Sequence, residues 1–113
     1  MKKIEIIIKP EKVRVVLGAL KEVGVTGITV ISARGQGSGM RPLIRDSKGM
    51  PLYTAEYNTM NSVITIVNDS MVNAVMTAIA KVAVSSKGSG KVFVFSVEEV
   101  MDLETGRRSS NFV

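Results

Sequence analysis

Cysteine and histidine are absent from this chain of 113 residues, and aromatic residues are scarce. Without cysteine, neither a disulfide framework nor a thiolate metal site can form. Without histidine, the commonest general base and the commonest transition-metal ligand are missing. An enzyme built from this chain would depend on carboxylates, lysines, tyrosines or a bound cofactor. We therefore predict no catalytic residues and no metal site, and a core made mostly of Val, Ile, Leu and Met.

Long hydrophobic runs are also absent. The opening "MKKIEIIIKPEK" is interrupted by Glu5 and Lys9, which makes it too short and too charged for a signal peptide. No apolar stretch approaches the about 20 residues that a membrane span needs. We expect a cytoplasmic protein that does not itself span a membrane. Its net charge of +5 suits an acidic partner, a phosphate ligand or the cytoplasmic side of a membrane protein, or is only a solvated surface.

Apolar alternation and clusters of β-branched residues predict the strands. The length favours one domain over residues 1–113. Within it, strand patterns occupy residues 2–8, 27–33, 60–67 and 91–95, with a short further strand around 100–103.

Apolar residues at i, i+3, i+4 and i+7 predict two helices. The first follows Pro10 and ends near Gly24, and the second is expected to be capped by Asp69 or Ser70. The stretch from about 35 to 59 has no periodicity, and a long loop inside a small domain is usually functional or disordered.

The resulting order, β-α-β-β-α-β, predicts an α+β ferredoxin-like fold with an antiparallel sheet. Right-handed crossovers place both helices on one face of that sheet. The strands "IEIIIK", "VITIV" and "VFVFSV" are apolar at both parities, which predicts that another subunit covers the second face. Phe93 and Phe95 share one strand face and are predicted to lie in the core.

The stretch "KGSGKVFVF" allows three interpretations. Its glycines favour a tight corner between a helix and a strand. A ferredoxin-like fold with this stretch also resembles, faintly, the RNA-binding strand signature, although the first strand carries no aromatic residue. A phosphate could bind the backbone N–H groups beside Lys87 and Lys91, and a second glycine pair, "GQG" at 35–37, could border the same cleft between subunits.

Across nearly the whole chain, the segments "MKKIEIIIKP", "LKEVGVTGITV", "RGQG", "GSGKVFVFSVEEV" and "ETGRR" resemble the PII signal-transduction family. The resemblance implies a homotrimer with ATP, ADP or AMP in three clefts between subunits, with any role of Mg2+ left open. It also implies a T-loop at about 36–59 that controls a partner, such as a membrane transporter or a metabolic enzyme. It places a nucleotide-binding B-loop at 85–91 and a C-terminal segment at 97–113.

The resemblance further assigns residues to these roles. The nucleotide would be held by Ile7, Thr29, Gly35, Gln36, Gly37, Ile64, Ile66, Lys87, Gly88, Ser89, Gly90 and Lys91. The partner would be contacted by Arg41, Arg45, Lys48, Tyr53 and Tyr57, of which Tyr57 matches the family's modified tyrosine better than Tyr53 does. Backbone groups near Ile64 and Ile66 would read the adenine, and a valine at Gly90 would block the ligand.

The chain departs from the family's pattern at the phosphates. Its B-loop is one residue short, and Asp102 and Glu104 stand where the family has two arginines. Either Arg107 and Arg108 compensate, or the site prefers fewer phosphates, or the two acidic side chains point elsewhere.

A second departure concerns 2-oxoglutarate. Ser38, Gly39 and Met60 occupy the positions of the family's arginine, glutamine and lysine that hold the oxoacid, so classical nitrogen sensing is not expected. Two rival functions stay open: slow ATP hydrolysis in the same cleft, and RNA binding. Although RNA binding stays open as a rival function, we expect no nucleic-acid partner.

Overall fold

The computed structural model describes residues 1–37, 41–84 and 90–111. A short 3-10 turn precedes each of its two helices. In chain order the elements are β1 (Lys2–Ile8), α1 (Val13–Glu22), β2 (Thr29–Gly35), β3 (Leu43–Arg45), β4 (Pro51–Thr54), β5 (Asn58–Val67), α2 (Val72–Ala83), β6 (Gly90–Ser96), β7 (Val100–Met101) and β8 (Arg108–Ser109).

The body of the molecule is a four-stranded sheet in the order β2-β5-β1-β6. Every neighbouring pair in it is antiparallel. β1 and β5 are the central strands, and β2 and β6 are the edges. With α1 between β1 and β2 and α2 between β5 and β6, the predicted α+β ferredoxin-like fold is confirmed.

Both helices cover one face of this sheet. Ile4, Ile6 and Ile8 of β1 alternate inward and are almost completely buried, because they pack against the apolar stripes of α1 and α2. The most deeply buried helix residues are Val16 and Leu20 of α1 and Val75 and Ile79 of α2. These belong to the helix faces that the sequence periodicity predicts.

Helix α1 ends where the sequence predicts. Gly24 has a φ of 94°, a conformation that glycine adopts without strain. The amide of Val25 then donates to the Leu20 carbonyl at 3.0 Å, which satisfies one of the last carbonyls of the helix.

The predicted capping of α2 by Asp69 or Ser70 is wrong. A 3-10 turn, Asp69–Met71, lies before the helix, and Met71 occupies the N-cap position without a side-chain cap. The Asp69 carboxylate instead accepts a hydrogen bond from the α-amino group of Met1 at 2.7 Å. That hydrogen bond lowers the pKa of Asp69.

Two hairpins lie outside the main sheet. β3 pairs with β4, and β7 pairs with β8. The expectation that residues 35–59 have no pattern of their own is therefore wrong. The radius of gyration is 17.1 Å, whereas a compact chain of this length has about 13 Å. The difference is what hairpins extending from a compact body would produce.

The second face of the sheet, which we call the open face, carries the residues that alternate with the core. Phe93 and Phe95 lie on it and are each 44% exposed, so their predicted place in the core is wrong. The face is also less apolar than predicted, because Lys3, Glu5 and Ser62 lie on its two central strands. Among the described residues, no helix is long and apolar enough to cross a membrane.

Candidate functional site

Gly35 and Gly90 lie at the same end of the sheet but on opposite edges. β2 finishes with Gly35, which pairs with Asn58, and β6 begins with Gly90, which pairs with Ile8. The strands β5 and β1 lie between them, so three inter-strand spacings of about 4.8 Å, or about 14 Å in total, separate the two edges. Gly35 and Gly90 therefore do not border one cleft within a single chain.

Gly90 is required by the packing of the backbone. Its φ is 127°, and an added Cβ would overlap the carbonyl oxygen of Ile7 and lie 2.8 Å from its carbonyl carbon. A valine at this position would disrupt the pairing of β6 with β1 before it could affect any ligand. The expected use of Gly90→Val as a test of ligand binding is thus unsuitable.

Five of the residues predicted to bind a nucleotide share the open face. Ile7 of β1 pairs with Lys91 of β6, and Thr29 of β2 pairs with Ile64 of β5. Ile66 lies one side-chain repeat beyond Ile64. Lys91 and Thr29 are exposed, and the three isoleucines are half-buried. Since β5 pairs with both neighbours at Ile64, the sheet itself uses backbone groups there.

Gln36 connects the end of β2 to the segment before β5. Its Nε2 atom donates to the Glu56 carbonyl oxygen at 2.9 Å, and Arg41 Nη1 donates to the same oxygen at 3.3 Å. A predicted nucleotide residue and a predicted partner residue therefore share one acceptor. We call these three residues the neck. Nothing in the sequence pattern indicates this contact, because its acceptor is a main-chain atom.

The β3–β4 hairpin has a well-formed tip. Asp46 Oδ1 accepts hydrogen bonds from the amides of Lys48 and Met50, each at 2.9 Å. Arg45 Nη1 donates to the Gly49 carbonyl at 2.9 Å, and Gly49 has a φ of 83°. The sequence "DSKG" between "LIR" and "PLYT" is a turn signal that could have predicted this hairpin.

The two tyrosines differ in their surroundings. Tyr53 is exposed on β4, opposite Ile44. Tyr57 is also exposed, and the Arg34 guanidinium carbon lies 5.6 Å from the centre of its ring, within the range of a cation–π contact.

The C-terminal hairpin contains Asp102 and Glu104, the two acidic residues near the predicted phosphate site. Asp102 Oδ1 accepts a hydrogen bond from the Glu104 amide at 2.9 Å, and the Asp102 carbonyl accepts one from Gly106 at 2.7 Å. Gly106 has a φ of 74°, so the segment is a tight turn built on Asp102. Arg108 donates from Nε and Nη2 to Glu99 Oε1, both at 2.7 Å.

Two concavities do not coincide with the predicted nucleotide residues. A groove of about 680 Å3 lies between α1 and α2, on the side of the molecule away from the open face, and is lined by residues such as Ala19, Ala74 and Ala78. A smaller one of about 380 Å3 lies at the C-terminal hairpin, beside Asp102 and Arg107.

Some predicted residues lie outside the described part of the chain. They are Lys87, Gly88 and Ser89 of the B-loop, and Ser38 and Gly39 of the oxoacid position. Within residues 1–37, 41–84 and 90–111, no group of three or more acidic side chains could hold a metal ion.

Comparison with known proteins covers nearly the whole chain. The sequence model of the family described as "Nitrogen regulatory protein P-II" matches residues 1–107. A protein of that name from Rhodospirillum rubrum is 35% identical, and one from Azospirillum brasilense is 38% identical; both alignments cover 100% of each chain. A third, from Rhizobium meliloti, is 41% identical over 94% of each chain.

Proposed function

The chain belongs to the nitrogen regulatory protein P-II family, and we propose that it binds an adenine nucleotide in clefts between the subunits of a homotrimer. The family makes it a signalling regulator rather than a classical enzyme. In our proposal it acts in the cytoplasm and controls a membrane transporter or a metabolic enzyme through the β3–β4 hairpin.

The position of the two glycine turns carries this proposal. Gly35 finishes one edge strand and Gly90 begins the other, at the same end of the sheet. A cleft formed by the β2 edge of one subunit and the β6 edge of its neighbour would bring both turns to one ligand. Lys91 is exposed at the β6 edge, where it is able to contact a phosphate. Such a cleft needs more than one subunit.

The neck supports a link between the nucleotide and the hairpin. Gln36 lies between two glycines of the proposed cleft, and its side chain contacts the Glu56 carbonyl at the base of the hairpin. A nucleotide that reorients residues 35–37 would remove one of the two donors to that carbonyl. Ligand binding would thereby change how the hairpin is held.

The hairpin itself combines apolar and cationic groups. Met50 and Leu52 are exposed near its tip, close to Arg45 and Lys48. This mixture suits a partner surface with an apolar recess and an acidic rim. A transporter's cytoplasmic face or a metabolic enzyme could supply such a surface.

The acidic C-terminal turn favours fewer phosphates. The Asp102 carboxylate accepts a hydrogen bond from the Glu104 amide, so it stabilises its own turn. Arg108 is likewise held by Glu99. Since Asp102 is an anion and Arg108 is paired with Glu99, a third phosphate would depend on Arg107 alone, and we propose that ADP or AMP binds at least as well as ATP.

Classical sensing of 2-oxoglutarate is not part of the proposal. Met60 is half-buried on the open face opposite Ala33 and offers no charge to a carboxylate. Calorimetry with Mg-ATP present should show no heat with millimolar 2-oxoglutarate. A saturable heat would contradict this part of the proposal.

One observation favours RNA binding, and two others argue against it. Phe93 and Phe95 are exposed on the open face, where RNA-binding sheets present aromatic rings. They lie on the edge strand β6, however, and the central strand β1 places Glu5 at the middle of the face. A carboxylate there repels a phosphate backbone, so nucleotide binding is the better conclusion.

Calorimetry with AMP, ADP and ATP tests the nucleotide proposal. Lys91→Ala should weaken binding by roughly ten- to a hundredfold, because one charge-assisted contact is lost. Lys21→Ala, an exposed lysine on α1, is the matched control and should bind like the wild type. If the wild-type protein binds none of the three nucleotides, or if Lys91→Ala binds normally, the proposed cleft is wrong.

A further inference from the structure

We propose that Lys3, Glu5 and Ser62 form a polar cluster that determines how strongly the open face associates with further copies of this chain. The inference rests on the homotrimer of the proposed function and assigns it a specific determinant. We call these three residues the face cluster. Its partner is a second copy of this chain, whose own open face presents the same groups.

The contacts within the face cluster pair its polar groups with one another inside one chain. Ser62 Oγ donates to Glu5 Oε2 at 2.7 Å, and Lys3 Nζ lies 3.9 Å from Glu5 Oε1. Lys3 Nζ also lies 5.1 Å from the centre of the Phe95 ring. The charges of Lys3 and Glu5 therefore balance, and each of the three side chains already has a polar or aromatic contact within the single chain.

The surroundings of the face cluster make this balance important. Ile7, Ile64 and Ile66 flank it on the central strands, and Phe93 and Phe95 flank it on β6. The Glu5 side chain is only 24% exposed and that of Lys3 35%, although no described element covers this face. A partner that covers the apolar neighbours must also cover both charges. An unpaired charge would then be removed from water at a large cost, whereas the attraction between Lys3 and Glu5 offsets part of that cost.

Charge complementarity favours a copy of this chain over other partners. A copy contributes apolar side chains to meet apolar side chains, and a face cluster whose net charge is zero. A nucleic acid would require a positive face, and Glu5 lies at its centre. A strongly charged protein partner would place a charge of the same sign opposite either Lys3 or Glu5, which is unfavourable.

A double-mutant cycle tests the proposal. Lys3→Met and Glu5→Gln each leave one unpaired charge on the face, and each should weaken self-association by roughly ten- to a hundredfold in dissociation constant. The double variant carries no charge in the face cluster, and its glutamine can still accept from Ser62. It should return to within about threefold of the wild type, a non-additive result expected for directly interacting groups. Sedimentation over a concentration series measures the dissociation constants, and circular dichroism verifies folding.

The controls separate this inference from the proposed function. Lys21→Met and Glu22→Gln change neighbouring exposed charges on α1 and should assemble like the wild type. A charge-swapped variant, Lys3→Glu with Glu5→Lys, should also assemble. If the wild type assembles and both single variants assemble equally well, the face cluster has no such role, while the nucleotide proposal stands. If the double variant is as weak as the singles, the inference also fails. A wild-type protein that is monomeric at micromolar concentration would overturn the homotrimer as well.

Discussion

The glycines of "GQG" and Gly90 of "KGSGK" look alike in the sequence and differ in the structure. Gly90 has a positive φ and lies against the Ile7 backbone, where a Cβ would overlap the carbonyl oxygen. Gly37 has nothing within 4 Å of an added Cβ, and Gly35 approaches only the flexible side chain of Met60. The fold therefore requires glycine at 90 and does not require it at 37.

This difference changes which glycines report on function. A glycine that the fold requires has a sufficient explanation in backbone packing. A glycine in open space has no such explanation, so a substitution there can test whether a ligand approaches the backbone without disturbing the fold. From the sequence, "KGSGK" is the first choice for testing ligand binding by mutation. From the structure, Gly37 in the segment after β2 is the better choice.

The largest effect is expected from Gly90→Ala. The added methyl group must displace the Ile7 carbonyl and adopt a strained φ, so the free energy of unfolding should fall by about 3 kcal/mol or more. Urea denaturation measures this loss. A variant as stable as the wild type would show that β6 can shift away from β1 at little cost, and the comparison between the turns would collapse.

Gly37→Val should separate binding from folding. Because the site is open, the free energy of unfolding should change by no more than about 0.5 kcal/mol. The branched side chain should nevertheless obstruct a nucleotide near the backbone and reduce its affinity by roughly tenfold or more, or about 1.4 kcal/mol. Denaturation and nucleotide calorimetry on the same preparation give both values. Unchanged affinity would remove the ligand-based explanation for this glycine.

Gln36→Leu addresses the neck beside that glycine. The loss of one of two donors to the Glu56 carbonyl should destabilise the base of the hairpin by about 1 kcal/mol, with global unfolding little changed. Hydrogen exchange at the Ala55 amide, which donates to the Pro42 carbonyl, reports on that base. Arg45→Met, which affects only the tip, is the control and should leave this amide protected. Equal protection in both variants would argue against the neck.

The smallest effect calibrates the comparison. Gly18 lies in α1 with nothing within 4 Å of an added Cβ, so Gly18→Ala should raise the free energy of unfolding by roughly 0.5–1 kcal/mol through helix propensity. Thermal unfolding monitored by circular dichroism detects the change. A decrease would show that open space in the structure is a poor guide to tolerance, and would weaken the interpretation of Gly37.

The order of helices and strands was predictable because it depends on local apolar periodicity. The stripe containing Val16 and Leu20 placed α1 correctly, and Gly24 marked its end. The β3–β4 hairpin was missed because its strands are only three and four residues long, too short for alternation to be recognised. The capping error at Asp69 arose because a 3-10 turn separates that residue from α2.

The candidate site was less predictable, because it depends on contacts between distant segments. Parity along β6 puts Phe93 and Phe95 on one face, but it does not say which face the helices cover. Glu5 and Ser62 are 57 positions apart and meet only through the register of β1 with β5. The use of Asp102 inside its own turn likewise follows from backbone geometry, which its residue type alone did not indicate.

The neck has a consequence for how this protein can diversify. Its acceptor is the main-chain carbonyl of Glu56, which every amino acid supplies, while the donors are the side chains of Gln36 and Arg41. The residues between Arg41 and Glu56 can therefore be exchanged freely without removing the attachment. A family of regulators built in this way could acquire new targets by rewriting one exposed segment, while the anchoring side chains and the sheet behind them stay unchanged.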